Sequence, residues 1–238
     1  MIGIILAGGK GSRMKTNIPK CIMPLKGKPM LNYLIETLNK IQIDRIYVVV
    51  SYQKEMVKKT IKEEVVFVEQ KIPLGTAHAV KSCKEVLKNI DDNVLILASD
   101  MPLIKQKVLE EFINYHLNKN NDLTILSTIV DNPYGMGRII KKDEKHIKII
   151  EEKDLTDLEK NIKEVNTSIY CIKSHILLEN IDKINNQNQS GEYYLTDIVE
   201  IVSNKYQVDI YKTNYTYHLQ GINDYETLKQ IEDKMGDI

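Results

Sequence analysis

Short apolar runs alternate with stretches of helical spacing through the first half of the chain. The apolar runs lie at residues 2–7, 46–52, 65–70 and 94–100, and the helical stretches at 30–41, 54–62, 76–87 and 105–119. Strands that alternate with helices of about ten residues predict βαβ units and a parallel sheet. Because the apolar runs show no polar alternation, we expect helices on both faces of that sheet.

The second half of the chain, from about residue 131, has a different pattern. The segment "RIIKKDEKHIKIIEEKD" predicts a β-hairpin, "EVNTSIYCIK" a strand, "YYLTDIVEIVSNKY" a helix, "VDIYKTN" and "YHLQGIN" two late strands, and residues 224–234 a closing helix. No linker rich in proline, glycine or serine separates the halves. We therefore expect one domain over residues 1–238, whose β-rich second part recognises a substrate.

Charge and cysteine content narrow the class of protein. The chain has 33 basic and 33 acidic side chains, so no overall field favours nucleic acid or an anionic membrane as a partner. No apolar run approaches the ~20 residues of a membrane span, and the start of the chain is a poor signal peptide. Three cysteines without a C-x-x-C spacing favour reduced thiols, and a cytoplasmic location, over a disulfide framework or a zinc site.

Three loops follow predicted strands and are expected to meet at one edge of the sheet. They are "LAGGKGSRM" after the first strand, "PLGTAHAV" after the third and "SDMPL" after the fourth. In parallel α/β sheets, ligands bind beyond the carboxyl ends of the strands. The sequence therefore predicts a ligand site at this edge.

The first of these loops predicts a phosphate site. Three glycines within residues 8–11 leave backbone N–H groups open to phosphate oxygens, and the cations Lys10, Arg13 and Lys20 lie close by in the sequence. A Walker A loop is excluded because Lys10 is not followed by serine or threonine, and a dinucleotide fingerprint fails at Met14. A flexible turn carrying solvated cations remains the structural alternative.

The loop "LAGGKGSRM…PK" resembles the signature of sugar-1-phosphate nucleotidyltransferases. Further motifs follow in family order: "EQKIPLGTAHAV", "SDMPLI", "NPYGMGRII", "IIEEKD", "EVNTSIY", "GEYYLTDIV" and "LQGIND". Together they resemble the N-acetylglucosamine-1-phosphate uridyltransferase (pyrophosphorylase) domain of the bifunctional GlmU family, from Ile4 to about Asp224. The acetyltransferase β-helix that follows in that family is expected to be absent, because the chain continues for only fifteen residues after Asn223.

This resemblance implies a fold, an activity and a cofactor. The fold is α/β and Rossmann-like, with a mostly parallel central sheet, helices on both faces and a smaller β-rich sugar-binding part. The activity is transfer of UMP from UTP to N-acetylglucosamine-1-phosphate, which yields UDP-N-acetylglucosamine and pyrophosphate with Mg²⁺ as cofactor. Residues 1–130 would bind the nucleotide and residues 131–238 the sugar phosphate.

The resemblance also assigns roles to individual residues. Arg13 and Lys20 would be catalytic, and Asp100 and Asn223 would bind the metal, a small oxygen ligand set that suits Mg²⁺. The nucleotide would be bound by Leu6, Ala7, Gly8, Gly9, Gln70, Gly75 and Thr76. The sugar phosphate would be bound by Gly137, Glu151, Asn166, Tyr194 and Thr196. For the base, the amide of Gln70 offers the donor and the acceptor that the imide edge of uracil requires.

Several of these positions also have ordinary structural explanations. Thr76 is a competent helix N-cap, and Asp100 fits a turn before a proline. Glu151 lies in "EEKD", which by composition alone is a solvated charge run. Arg138 fits a strand residue paired with a surface acid as well as a ligand contact. His78 fits a core or capping position better than a catalytic one.

Two departures from the family pattern leave the substrate open. Ser99 precedes the metal-binding aspartate and Ser168 stands in "NTS", where the family usually has glycine at both positions. Another sugar or base, such as glucose-1-phosphate or dTTP, is therefore an alternative. A non-catalytic UDP-sugar sensor is disfavoured because the catalytic and metal-binding residues are all present, and an oxidoreductase is disfavoured by Met14. The oligomeric state does not follow from the sequence.

Overall fold

A computed structural model of the chain describes residues 1–9, 11–14, 16–143 and 146–235, without the side chains of Ser12 and Tyr217. Lys10, one of the three cations near the glycine loop, lies outside the described residues.

The described residues form strands and helices in alternation. The strands are β1 (Ile2–Leu6), β2 (Pro24–Leu25), β3 (Lys28–Pro29), β4 (Arg45–Val50), β5 (Val66–Glu69), β6 (Asn93–Ala98), β7 (Leu123–Ile129), β8 (Arg138–Lys141), β9 (Ile147–Ile150), β10 (Glu164–Lys173) and β11 (Val208–Thr213). The α-helices are α1 (Met30–Lys40), α2 (Lys54–Thr60), α3 (Thr76–Lys81), α4 (Lys84–Leu87), α5 (Gln106–Asn118), α6 (Ser174–Asn180), α7 (Asp197–Ser203) and α8 (Tyr225–Met235). Within the described part, no helix combines the length and the apolar character that crossing a membrane requires.

One large sheet carries the site, in the order β11-β7-β10-β6-β1-β4-β5. β1 pairs in parallel with both β4 and β6, and β5 continues the parallel pairing beyond β4. β10 comes from the second half of the chain and pairs antiparallel with both β6 and β7. β11 is parallel to β7, while β8 joins β10 to β9. The predicted fold class, an α/β fold with a mostly parallel sheet, is confirmed.

Helices cover both faces of this sheet, as the unbroken apolar strands predict. Ile4 packs into a core with α3, α6 and α7, whereas the next residue, Ile5, packs on the opposite face with α1, α2 and α5. Both side chains are fully buried. Because successive side chains of a strand point to opposite faces, a strand covered on both sides must be apolar throughout.

Most predicted elements are present, but helix α6 and the short strands β2 and β3 were not predicted, and other elements differ from the prediction. The stretch 76–87 is broken into α3 and α4 near Cys83, and "YYLTDIVEIVSNKY" is helical only over α7. The late strand predicted for "YHLQGIN" is wrong, because Thr216–Leu219 forms a 3₁₀ turn and the next residues turn toward β6, where the Ile222 N–H bonds the Asp100 carbonyl at 2.7 Å. Strand β7 was not predicted.

A glycine joins the loop after β5 to the loop before α7. Gly75 has φ of +117°, and a Cβ at this position would lie 2.5 Å from the carbonyl oxygen of Tyr193. The Tyr193 N–H bonds the Leu74 carbonyl at 2.8 Å, and the Ala77 N–H bonds the Tyr193 carbonyl at 2.9 Å. This close approach of two backbones is possible only where one residue has no side chain.

The Gly75→Ala substitution should therefore lower the free energy of unfolding by about 2–4 kcal/mol, through backbone strain and overpacking. Gly9→Ala is the matched control, because among the described residues, apart from its chain neighbours, no atom lies within 4 Å of the place that a Cβ would take at Gly9. We expect that control to change stability by less than about 0.5 kcal/mol in urea unfolding. Equal losses in the two variants would show that the contact between Gly75 and Tyr193 does not require glycine.

Candidate active site

The three loops predicted to meet at one edge of the sheet do so, around a cavity of about 510 Å³. This volume lies in the range of about 300–1,000 Å³ that small-molecule sites occupy. Ten of the predicted site residues line it: Leu6, Gly8, Gly9, Lys20, Gln70, Gly75, Thr76, Asp100, Glu151 and Thr196. The cavity thus extends from the parallel strands β1, β5 and β6 to the second half of the chain.

The glycine loop lies directly over the side-chain stem of Lys20. Gly11 has φ of +59°, and a Cβ there would lie 2.7 Å from the Cβ of Lys20. Lys20 begins a 3₁₀ turn, Lys20–Ile22, immediately after Pro19. The loop backbone and the lysine therefore occupy the same wall of the cavity, where the sequence predicts phosphate binding.

The ammonium group of Lys20 joins two distant segments of the chain. Its Nζ lies 3.0 Å from Oδ2 of Asp100 and 2.9 Å from Oδ1 of Asn223. Asp100 follows β6, whereas Asn223 lies just before α8. Gly221 leaves room for both, because a Cβ at this position would lie 3.2 Å from Nδ2 of Asn223 and 3.5 Å from Oδ2 of Asp100. Segments far apart in the sequence therefore converge on one positive charge.

The two predicted metal ligands fit a small divalent cation. The oxygens of Asp100 and Asn223 already converge on the Lys20 ammonium, so both are oriented to accept a cation. Among the described residues, no group of three or more His, Cys, Asp or Glu side chains could hold a metal ion. A site with one carboxylate and one amide oxygen suits Mg²⁺, which keeps several waters and takes phosphate oxygens as further ligands.

Gln70 lies at one end of the cavity with its amide fixed. Only 3% of the residue is exposed, and its Nε2 lies 3.1 Å from the Gly75 carbonyl oxygen and 3.1 Å from Nδ1 of His78. Its Oε1 lies on the other side, 3.0 Å from the place that a Cβ would take at Gly8. The amide therefore presents an acceptor toward the glycine loop.

The opposite end of the cavity is acidic and partly buried. Thr196 donates to Oε1 of Glu151 at 3.0 Å. Burial raises the pKa of Glu151 above its ordinary value, and the neighbouring carboxylate of Asp197 adds to the shift. Burial likewise raises the pKa of Asp197 to about 6. Carboxyl groups in such surroundings are suited to accepting hydrogen bonds from the hydroxyl or amide groups of a neutral ligand.

Two of the predicted sugar-binding residues stand behind this end of the cavity. The Asn166 amide donates to the Tyr170 hydroxyl at 2.7 Å, and Tyr170 itself lines the cavity. The Asn166 N–H bonds the Gly137 carbonyl at 2.9 Å. A Cβ on Gly137 would lie 2.9 Å from Cγ2 of Ile149, so any side chain at this position would force Ile149 to move.

The sequence of this chain matches the nucleotidyl transferase family model over residues 2–217. The chain belongs to the nucleotidyl transferase family. Among solved structures, it resembles a Bacillus anthracis protein described as a glucose-1-phosphate thymidylyltransferase, with TM-score 0.75 at 21% identity, covering 100% of this chain and 96% of that one. It also resembles HddC from Yersinia pseudotuberculosis, with TM-score 0.69 at 21% identity, covering 99% and 100%. At this identity the likeness concerns the fold.

Curated relatives confirm the resemblance to GlmU. The chain is 42% identical to the bifunctional protein GlmU of Thermosipho melanesiensis over 232 residues, which covers 98% of this chain and 50% of the relative. It is 37% identical to GlmU of Acholeplasma laidlawii over 230 residues, covering 96% and 50%. The chain therefore spans about half the length of these relatives.

Six predicted residues of this nucleotidyl transferase are not among those that line the cavity: Arg13, Ala7, Gly137, Asn166, Tyr194 and Asn223. Gly137 and Asn166 lie behind its wall, and Asn223 contacts the lining residue Lys20. Arg13 is exposed in the 3₁₀ turn Ser12–Met14, and its charge reaches Asp224, whose pKa is lowered by hydrogen bonds at Thr227 and then by Arg13. Ala7 is buried at the end of β1, where its N–H bonds the Val49 carbonyl. Tyr194 is half-buried, with its hydroxyl bonded to Ser190.

The two serines that replace the usual family glycines both line the cavity. Ser168 has φ of +58°, in the left-handed region where a non-glycine residue is strained by about 1–2 kcal/mol. Its N–H bonds Oδ1 of Asn166 at 3.1 Å, within the irregularity that interrupts the pairing of β10 with β7. Ser99 is buried beside Asp100, and its N–H bonds the Leu6 carbonyl at 3.1 Å.

Arg138, for which the sequence allowed either an ion pair or a ligand contact, forms a buried ion pair that holds the loop before β8. Arg138 is 1% exposed, and one guanidinium nitrogen lies 2.8 Å from Oε2 of Glu152. The other donates to the Met136 carbonyl, and the Gly135 N–H donates to the same Glu152 oxygen at 3.0 Å. Arg138 is therefore paired with an acid from the turn after β9 and is not among the cavity residues.

Several residues that line the cavity, or contact a lining residue, were not predicted from the sequence. Tyr170 and Leu195 line the cavity but lie within apolar stretches that indicate core positions. Glu192 lines it from "GEYYLTD", where only the resemblance marked the segment as functional. His78 bonds Gln70 from the first turn of α3, and its place eight residues after Gln70 gives no signal of that contact.

The Glu152→Ala substitution tests the structural role of the buried Arg138–Glu152 ion pair. Glu152→Ala leaves the buried Arg138 guanidinium without a counter-charge, so we expect the free energy of unfolding to fall by about 2–4 kcal/mol. The control is Glu85→Ala, which breaks the exposed pair with Lys88 and should cost less than about 1 kcal/mol in urea unfolding. If both variants lost the same small amount, Arg138 would not depend on Glu152.

Proposed function

We propose that this chain transfers UMP from UTP to N-acetylglucosamine-1-phosphate and releases pyrophosphate. The observation that carries the proposal is the position of Lys20, whose ammonium joins Asp100 to Asn223 in a cavity between Gln70 and Glu151. The amide of Gln70 at one end of the cavity suits a nucleotide base, the Lys20 ammonium at its centre suits phosphates, and the carboxyl group of Glu151 at the other end suits the hydroxyl groups of a sugar. The similarity to GlmU relatives supports this choice of substrates.

The nucleotide would lie along the ends of the parallel strands. Gln70, Gly75 and Thr76 would hold the base, while the backbone of Gly8 and Gly9 would approach the phosphates together with Leu6 and Ala7. Apart from its chain neighbours, no described residue has an atom within 4 Å of the place that a Cβ on Gly9 would take, which supports the approach of a ligand here. Arg13 would hold the pyrophosphate end, because its guanidinium can fork onto two phosphate oxygens.

The sugar phosphate would enter from the second half of the chain. Glu151 and Thr196 supply acceptor and hydroxyl groups at 3.0 Å from one another. Asn166, Gly137 and Tyr194 would support them from behind the cavity wall. Ser99 and Ser168 narrow the passage between the two ends, because both carry a hydroxymethyl group where glycine is usual.

The reaction needs no general base among the side chains. The nucleophile is an oxygen of the sugar phosphate, whose second pKa of about 6 leaves it ionised at neutral pH. It attacks the α-phosphorus of UTP, a P–O bond forms, and the bond to pyrophosphate breaks with the electron pair on the leaving group. Lys20 would stabilise the charge on the α-phosphate during this step, and the loop amides would hold the nucleotide in line.

A divalent cation completes the charge balance of the proposed reaction. Asp100 and Asn223 would hold Mg²⁺, which neutralises phosphate charge when bound. We propose further that residues 1–238 act as one nucleotidyltransferase domain in the cytoplasm, on nucleotide and sugar phosphate and without nucleic acid or membrane as partner.

The test of this function is pyrophosphate release by the purified chain with Mg²⁺. UTP, dTTP and CTP are each combined with N-acetylglucosamine-1-phosphate, with glucose-1-phosphate or with no sugar. Release that requires UTP, Mg²⁺ and the N-acetyl sugar is the expected result. Release only with glucose-1-phosphate or dTTP would assign a different substrate to the same chemistry. No release with any combination, together with UDP-sugar binding, would favour the sensor.

Lys20→Ala provides a sharper prediction within that assay. Loss of a charge that acts on the transition state should lower kcat by about 10²–10³-fold, while KM for the sugar phosphate changes by less than about threefold. Lys88→Ala removes an equal charge from an exposed pair with Glu85 and should leave kcat unchanged. An unchanged kcat in Lys20→Ala would contradict the assignment of Lys20 as a catalytic residue.

A further inference from the structure

The amide of Gln70 has both of its hydrogens committed to the protein. Nε2 lies 3.1 Å from the Gly75 carbonyl oxygen and 3.1 Å from Nδ1 of His78. A backbone carbonyl can only accept, so the nitrogen and not the oxygen of the amide must face Gly75. The orientation of the amide is therefore set by its surroundings, which leaves Oε1 facing the glycine loop.

The same geometry fixes the state of His78. With one Nε2 hydrogen directed at Gly75 and the other at His78, Nδ1 must be a lone-pair acceptor, and the ring is the neutral tautomer with its hydrogen on Nε2. Burial lowers the pKa of His78, and the nearby Lys81 lowers it further, so both favour the neutral ring. Tyr193 packs against the imidazole at 6.3 Å between ring centroids.

We propose that His78 is a positioning residue that holds Gln70 with Oε1 toward the nucleotide and thereby selects bases with a ring N–H, uracil and thymine, over cytosine. The inference rests on the proposed function, since it concerns the nucleotide end of that site. Uracil and thymine carry a hydrogen on N3, which Oε1 accepts. Cytosine carries a lone pair there, which would oppose the lone pairs of Oε1.

The selection depends on the cost of turning the amide over. Rotation by 180° would bring Oε1 against the Gly75 carbonyl, which can only accept, while Nε2 would face the cavity. Nδ1 of His78 opposes the rotated amide as long as the ring keeps its hydrogen on Nε2, so rotation also costs a change of tautomer. Cytosine could then be bound, so the two contacts together set the preference against it. His78 supplies one of the two and is the one that a side-chain substitution can remove.

The three residues that set the preference for the base lie close together in the sequence, between the end of β5 and the first turn of α3. Gln70 directly follows β5, Gly75 precedes α3, and His78 lies in the first turn of that helix. Gly75 has φ of +117°, which glycine adopts without strain, and directly precedes the helix that carries His78. The loop therefore sets the position of both groups that hold the amide.

The test measures equilibrium dissociation constants for UTP and CTP without sugar phosphate, so it requires no turnover. His78→Phe keeps a ring against Tyr193 but removes the acceptor. We expect the preference for UTP over CTP to fall by about 3- to 10-fold, the worth of one hydrogen bond. His78→Asn, whose Oδ1 can accept in place of Nδ1, should restore the wild-type preference to within about twofold.

A double-mutant cycle with Gln70→Ala shows whether His78 acts through the amide. In the Gln70→Ala background, His78→Phe should change the UTP preference no further. An unchanged preference in His78→Phe, or an equal loss in both backgrounds, would overturn the proposal. A wild-type chain that binds UTP no better than CTP would overturn it as well, whatever the outcome of the pyrophosphate assay.

The tautomer of His78 can be measured in the wild-type chain, so this test does not depend on whether the variants fold. In long-range ¹H–¹⁵N NMR spectra at neutral pH, His78 should show the neutral tautomer protonated on Nε2. The signal is assigned by its absence from the His78→Asn spectrum. Protonation on Nδ1 would remove the acceptor for Gln70 and contradict the proposal, and this result is independent of whether the chain transfers UMP.

Discussion

The site depends on one contact, the ammonium of Lys20 placed between Asp100 and Asn223. Three segments far apart in sequence bring these groups together: the turn after the glycine loop, the end of β6 and the loop before α8. The Asp100 carboxylate balances the lysine charge, and the Asn223 amide oxygen accepts a further hydrogen bond from it, in a partly buried place where an unpaired charge would be costly. A polyphosphate can enter such a centre because the cation and its acceptors can each find a new partner on the ligand, the ammonium on phosphate oxygens and the two oxygens on a metal ion.

The rest of the cavity places different chemistry on either side of this charge. Gln70 presents a single acceptor at one end, and at the other end burial raises the pKa of Glu151 and Asp197. These ends belong to different halves of the chain, joined because β10 pairs with β6 at the centre of the sheet. At Gly75, the backbone of the loop after β5 packs directly against Tyr193 in the loop before α7. The two ends of the cavity are therefore held in place by the same few backbone contacts.

The sequence was informative where a residue's role is local. Apolar runs between helices predicted β1, β4, β5 and β6, and glycines after a buried strand predicted the phosphate loop. Long-range contacts were not predictable, because a hydrophobic pattern does not show which strands pair with each other. Neither β7 nor the insertion of β10 between β6 and β7 was predicted. The turn at Thr216–Leu219 has a sequence that also suits a strand. The Arg138–Glu152 pair and the orientation of Gln70 depend on atoms that approach only in the folded chain.

The most direct test of the proposed site is a crystal structure of the chain with UDP-N-acetylglucosamine and Mg²⁺. We expect the uracil N3–H on Oε1 of Gln70, the sugar against Glu151 and Thr196, the metal on Asp100 and Asn223, and the Lys20 ammonium on a phosphate oxygen. A ligand bound outside this cavity would contradict the proposed site. So would a bound ligand that leaves Lys20 on Asp100 and Asn223 with the metal held elsewhere.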